Sequence, residues 1–127
     1  MADVNRGNRP LSPHLQIYRL QITSVLSILH RITGCALLLG AVLVVWWFTA
    51  LAVSEPYFTF VDGLLTSWPG LLVLVGSLWA LWFHLLNGVR HLVWDTGNGF
   101  DLGTVTMTGW SVVIGSVVLT VLTLVVI

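Results

Sequence analysis

Lysine is absent from this chain, and charge of either sign is scarce: five arginines and five carboxylates among 127 residues, or 8%. Soluble domains carry roughly 25% charged residues. Ten charged side chains cannot coat a globule of this size. Hydrophobic residues make up 57%, and mean hydropathy is +0.95. An ordinary cytosolic domain and intrinsic disorder are both excluded. So is a nucleic-acid binder, because the arginines and carboxylates balance and leave no basic patch for phosphates. Cysteine is nearly missing as well. Cys35 alone permits no internal disulfide, no CxxC pair and no CxxCH for covalent haem attachment. It reads as a small apolar filler within a helix. The solvent for most of this chain is lipid.

Gaps in the charge mark the spans. Ile32 to Ser54, Gly63 to Val89 and Leu102 to Ile127 contain no Asp, Glu or Arg over 23, 27 and 26 residues. A helix crossing a ~30 Å hydrocarbon core needs about 20 residues. Each gap is long enough for one crossing and too short for two. The expected fold is therefore all-α, an integral membrane protein with three transmembrane helices at about 24–53, 69–94 and 107–127. Residues 1–23 form a cytoplasmic or interfacial N-terminal segment ahead of the 24–127 anchor. Pro69 suits a first helical turn, where its missing N–H costs nothing. Glu55-Pro56-Tyr57 is expected to break the chain after the first span, and Thr96-Gly97-Asn98-Gly99 to make the second turn.

No secretory signal peptide is expected, because the first apolar run is too long and starts too late. Nor do the residues before it read as a transit peptide. A bacterial inner membrane, or a mature organellar one, fits. Arg6, Arg9, Arg19 and Arg31 precede or open the first span, and Arg90 closes the second. The positive-inside rule then puts the N-terminus and the second loop in the cytoplasm or matrix, and the C-terminus on the far side. The start of the first span and the end of the second share one membrane face. Most polar residues with chemistry in them lie there.

On the second span, steps of about 100° place Ser77 and His91 within about 20° of His84, Ala80 and Gly88 within about 40°, and Asn87 within about 60°. Trp79, Trp82, Leu86 and Val89 lie opposite. One face is small and polar and leaves room for something large and flat beside His84. His84 stands about 9 Å below Arg90. An ionisable residue at that depth is a functional-site candidate, and neutral imidazole is a usual protein ligand for haem iron. A histidine hydrogen-bonded to a neighbouring helix fits the same pattern. His91, two turns on, could meet a propionate with Arg90 nearby, while Arg90 also fits an interfacial snorkelling arginine.

The first span repeats the design: Ser27, His30, Arg31 and Gly34 share one face, and Ser24 extends it. A hydroxyl and a guanidinium one turn apart form a donor pair able to hold a carbonyl oxygen that gains electron density on reduction, as a quinone requires. A cluster that only fixes helix depth fits equally. The third span, with Gly109, Ser111, Gly115, Ser116 and Thr120, reads as scaffold. Ser111-xxx-Gly115 and Ala36-xxx-Gly40 permit close helix packing. Trp46, Trp47, Trp68, Trp94 and Trp110 sit near span ends as an aromatic belt, and no tryptophan is assigned to chemistry.

Three segments together resemble a known family: Arg9-Pro-Leu-Ser-Pro-His-Leu-Gln-Ile-Tyr18, Ser27-Ile-Leu-His-Arg-Ile-Thr-Gly34 and His84-Leu-Leu-Asn-Gly-Val-Arg-His-Leu-Val-Trp-Asp-Thr-Gly97. They are similar to the cytochrome b subunits of succinate dehydrogenase, the larger membrane anchors of respiratory complex II. The resemblance implies half of a heterodimeric helix bundle in which His84 is an axial ligand of a b-type haem. The second axial histidine would come from a smaller anchor subunit. Ser27 and Arg31 would line the ubiquinone site near an iron–sulfur subunit, which is fed by a flavoprotein subunit. His30, His91 and Arg31 would lie by the haem, with the two histidines at its propionates. The segment Ser12–Tyr18 would pack on the iron–sulfur subunit. The chain by itself would catalyse nothing. Two other readings of the residues stand beside this one. One is a cofactor-free membrane scaffold or small transporter subunit with a buried His84/Arg31 pair. The other keeps the haem but draws its second ligand from His30.

Overall fold

The computed structural model describes residues 18–127. Four helices follow in order: α1 (Ile22–Val53), α2 (Glu55–Leu65), α3 (Trp68–Asp95) and α4 (Leu102–Val126), with no strand among the described residues. α1, α3 and α4 are long and apolar enough to cross a membrane. At 1.5 Å per residue they measure about 48, 42 and 38 Å, against ~30 Å of hydrocarbon. Each therefore carries surplus turns that reach a polar layer.

The helix ends differ from the spacing-based expectation, for local reasons. α4 starts at Leu102 rather than near Met107. Thr106 and Thr108 return their hydroxyls to Leu102 and Thr104 carbonyls at 2.9 and 2.8 Å, so this polar stretch satisfies itself as helix. Glu55-Pro56-Tyr57 opens α2 instead of forming a loop. The break is a single residue, Ser54, extended at φ −168°. Its hydroxyl accepts from the Tyr57 N–H, and Pro56 falls in the first turn. Ser67 caps α3 in the same way through the Gly70 N–H, with Pro69 in the first turn. Gly97 and Gly99 both take φ +81°, which favours glycine, and turn the chain from α3 into α4.

α3 is central, packed on α1 along one side and α4 along the other; α2 lies over α1 and the start of α3. Leu26, Phe83 and Val112, one from each span, form the buried core, walled by Ile22, Leu29, Trp79, Leu86 and Val113. The buried stripe of α4 runs Gly109, Val112, Ser116, Thr120. Ser111 falls beside that stripe and is exposed, while Gly115 packs on Leu86. Gly115 is thus the more enclosed member of the Ser111/Gly115 pair. Ala36 is likewise exposed, although Gly40 meets Ser77. Bulky residues such as Leu38, Leu39, Val45 and Ile114 point outward, the surface that lipid or further membrane chains would cover.

Candidate functional site

Small residues let α1 and α3 approach, and the approach stacks two imidazoles. A Cβ on Gly34 would stand 3.1 Å from His84 Cε1, and one on Gly88 would stand 4.0 Å from His30 Cε1. His30 and His84 lie face to face, 3.9 Å between centroids and 7° from parallel. His91 completes the group, 5.3 Å from His30. The small stripe of α3, read from spacing as room for a flat group, is partly used to admit α1: Ala80 is buried and Gly88 faces His30.

The proton on His84 has a definite place. Its Nδ1 lies 3.1 Å from the His30 carbonyl and 3.2 Å from Thr33 Oγ1. The carbonyl can only accept. The Thr33 hydroxyl hydrogen is already directed at the Leu29 and His30 carbonyls, at 2.8 and 3.0 Å. Both partners therefore accept, and Nδ1 donates. In the neutral ring this leaves the lone pair on Nε2, the form in which imidazole ligates a metal. Three or more His, Cys, Asp or Glu side chains grouped to hold a metal ion do not occur among the described residues. A metal at Nε2 would take its other ligands from outside the described residues.

His30 Nδ1 is buried and makes no hydrogen bond among the described residues, which leaves it for a polar atom from outside them. The stacked arrangement also bears on His30 as a second ligand to the same iron. Imidazole lone pairs lie in the ring planes, and these planes are parallel and overlaid, so neither nitrogen points at the other ring.

Ser27 and Arg31 form the expected pair. Arg31 Nη2 donates to Ser27 Oγ at 3.0 Å and Nε to the Ser27 carbonyl at 3.3 Å. The Ser27 hydroxyl then keeps its own hydrogen to donate, and the remaining guanidinium N–H groups face outward, since Arg31 is exposed. Arg31 bonds Ser27 rather than His84, so the buried His84/Arg31 pair of a cofactor-free scaffold is not formed among the described residues.

Arg90 behaves as neither sequence reading expected. It is 7% exposed and turned into α4. Nη2 donates to the Val105 carbonyl at 2.8 Å and Nε to Thr108 Oγ1 at 3.1 Å, and the guanidinium sits 4.1 Å from the Trp94 ring centre. The polar, close-packed start of α4 draws it there. Two contributors went unassigned in the sequence. Thr33 stands in the Ser27–Gly34 motif, and its only signal is its place one turn after His30. Asn87, fully buried, sits between His91 and Arg90, 3.5 Å from each.

Residues 5–123 match the family described as succinate dehydrogenase/fumarate reductase transmembrane subunit. The chain is 52% identical over 126 residues to the succinate dehydrogenase cytochrome b556 subunit of Paracoccus denitrificans, covering 99% of this chain and 97% of that one. It is 44% identical over 116 residues to the subunit of the same name from Rickettsia felis, covering 91% and 90%. It is 42% identical over 108 residues to the cytochrome b560 subunit of Reclinomonas americana, covering 81% and 75%. An apolar three-span chain that matches this family along nearly its whole length belongs to the transmembrane subunits of succinate dehydrogenase and fumarate reductase.

Proposed function

We propose that the chain is the haem-binding anchor of a succinate:ubiquinone oxidoreductase, with His84 as one axial ligand of a b-type haem. The observation that carries this reading is the pinned His84 tautomer, Nδ1 donating to the His30 carbonyl and Thr33. Such a bond on the far nitrogen orients a ligating imidazole and raises its basicity. The unsatisfied His30 Nδ1 beside it suits a carboxylate such as a haem propionate, with His91 as a second contact. The haem, when bound, would supply a one-electron store. A smaller anchor subunit would supply the other histidine that holds it.

Ser27 and Arg31 hold a ubiquinone carbonyl oxygen. The hydroxyl donates its free hydrogen, and the fixed positive charge favours the oxygen as it gains electron density, more than it favours the neutral ground state. Electrons come from a flavoprotein through the iron–sulfur subunit, and two protons come from the adjoining aqueous layer. Apart from Tyr18, the Ser12–Tyr18 segment read as the iron–sulfur contact lies outside the described residues. The membrane is the bacterial inner membrane, with the N-terminus cytoplasmic.

The test is a reduced-minus-oxidised spectrum of the purified complex carrying His84→Leu. Loss or displacement of the b-type bands is expected. A spectrum identical to that of the unaltered complex removes His84 as ligand.

A further inference from the structure

α2 is the element that the proposed function leaves unused. Counting from Val61 at about 100° per residue, Phe60, Leu64, Tyr57, Val61, Leu65 and Phe58 fall within an arc of about 160°. Asp62, Glu55, Thr66, Thr59, Gly63 and Pro56 fill the rest. Half of the apolar arc is spent inside the chain. Val61 is fully buried, Leu65 is half-buried and Phe58 lies 5.5 Å from Trp47. The other half is bare: Tyr57, Phe60 and Leu64 are 36%, 64% and 48% exposed. Two indoles of α1 clamp the helix in this roll, Trp46 donating to the Tyr57 hydroxyl at 2.7 Å and Trp47 to Asp62 Oδ1 at 3.0 Å.

The heights of the flanking spans set the direction of α2. Gly34 faces His84, Gly40 faces Ser77 and Gly88 faces His30. Continuing that antiparallel register puts Trp68 level with Ala50, so Val53 rises about 5 Å beyond the start of α3. α2 is about 16 Å long and joins these two ends. It therefore runs nearer the membrane plane than its normal.

We propose that α2 is an interfacial helix in the lipid headgroup layer, at the end of the bundle remote from the histidines. Tyr57, Phe60 and Leu64 turn into the acyl boundary, and Glu55, Thr59 and Gly63 turn to water. The occupant of the bare arc is lipid, because an amphipathic helix level with the ends of two membrane spans lays its apolar arc at the acyl boundary. Trp68, 74% exposed beside it, is the residue type an aromatic belt places at that level. One consequence rests on the quinone-site reading above. With the remote layer set at Ala50 and Trp68, about 20 residues of hydrocarbon end near Arg31 on α1 and Asn87 on α3. Ser27 and Arg31 then stand in the opposite headgroup layer, where protons are available, and His84 stands about one turn inside.

The placement of α2 is tested by installing p-benzoylphenylalanine singly at Phe60, Leu64, Thr59 and Gly63. The assembled complex is irradiated in phosphatidylethanolamine/phosphatidylglycerol vesicles, and the chain is weighed by mass spectrometry. Gly63 has open space around it, and Thr59 is exposed, so both tolerate the probe. Phospholipid adducts at 60 and 64 should exceed those at 59 and 63 severalfold. Crosslinks from 60 and 64 to another polypeptide overturn the proposal, as do equal lipid adducts at all four positions or none at 60 and 64. The haem spectrum of the same samples reports the His84 site separately, so failure of either reading is recognised without the other.

Discussion

The His30 carbonyl and Thr33, whose own hydrogen is already committed to its helix, together decide which nitrogen of His84 carries the proton. Gly34, the next residue, decides where the ring sits. A methyl group there would meet His84 Cε1 at 3.1 Å, so Gly34→Ala should displace the imidazole by a few tenths of an ångström without removing it. The expected outcome is a complex that keeps its haem with shifted absorption bands; complete loss of haem would mean that Gly34 serves assembly instead. Ser27→Ala and Arg31→Leu belong to the same scale. A hydrogen bond involving a charged group contributes about 1.5–3 kcal/mol. Each substitution should therefore lower ubiquinone reduction by about tenfold or more, while succinate-driven reduction of an artificial dye persists. If dye and quinone activities fell together, the pair would be structural. Ser27 and Arg31 were legible in the sequence because both sit on one helix, one turn apart, where spacing alone dictates contact. The role of Thr33 was not, because its partner is 51 residues away on another helix.

Among the helices, the α3–α4 seam turns on Arg90. It bonds the Val105 carbonyl and the Thr108 hydroxyl from one planar head and covers Trp94. An arginine near a helix end reads equally well as a propionate partner or as a snorkelling side chain, since both depend only on depth. Its turn toward α4 depends on where α4 starts, and the threonine-rich stretch before Met107 concealed that start. Arg90→Gln should lower the thermal midpoint of the complex and the yield of assembled chain. Arg90→Lys should recover little, because one ammonium cannot replace the fork that reaches both acceptors. An unchanged midpoint in both variants would show that the seam is held by the Gly109–Thr120 stripe alone. The α2 helix was hidden for a related reason. Ser54 ends one helix and caps the next within a single residue, and a proline two residues on looks like a stop in sequence although it fits a first turn.

For the whole molecule, the proposed orientation rests on the scarcity and one-sided placement of charge. All five arginines lie before the first span, at its opening or at the close of the second. Alkaline phosphatase fused after Ile127 should accordingly be active in a bacterial host, and a fluorescent protein fused there should stay dark. The reverse pattern would invert the proposed orientation and move Ser27 and Arg31 to the far side. Composition and charge-free runs alone determined that the chain lives in lipid and crosses it three times, because hydrocarbon thickness demands about 20 apolar residues per crossing whatever surrounds them. His84 was a candidate on the same footing, since an ionisable side chain is too costly in hydrocarbon to be placed idly, and the Ser27/Arg31 pair was one on its one-turn spacing. Only the packing of α1 on α3 decided that His30 stacks on His84 and that Nδ1 donates and leaves the lone pair on Nε2, and only the packing of α3 on α4 decided that Arg90 faces α4. Those outcomes depend on which residues meet across helices, and helical period carries no information about a neighbour's register.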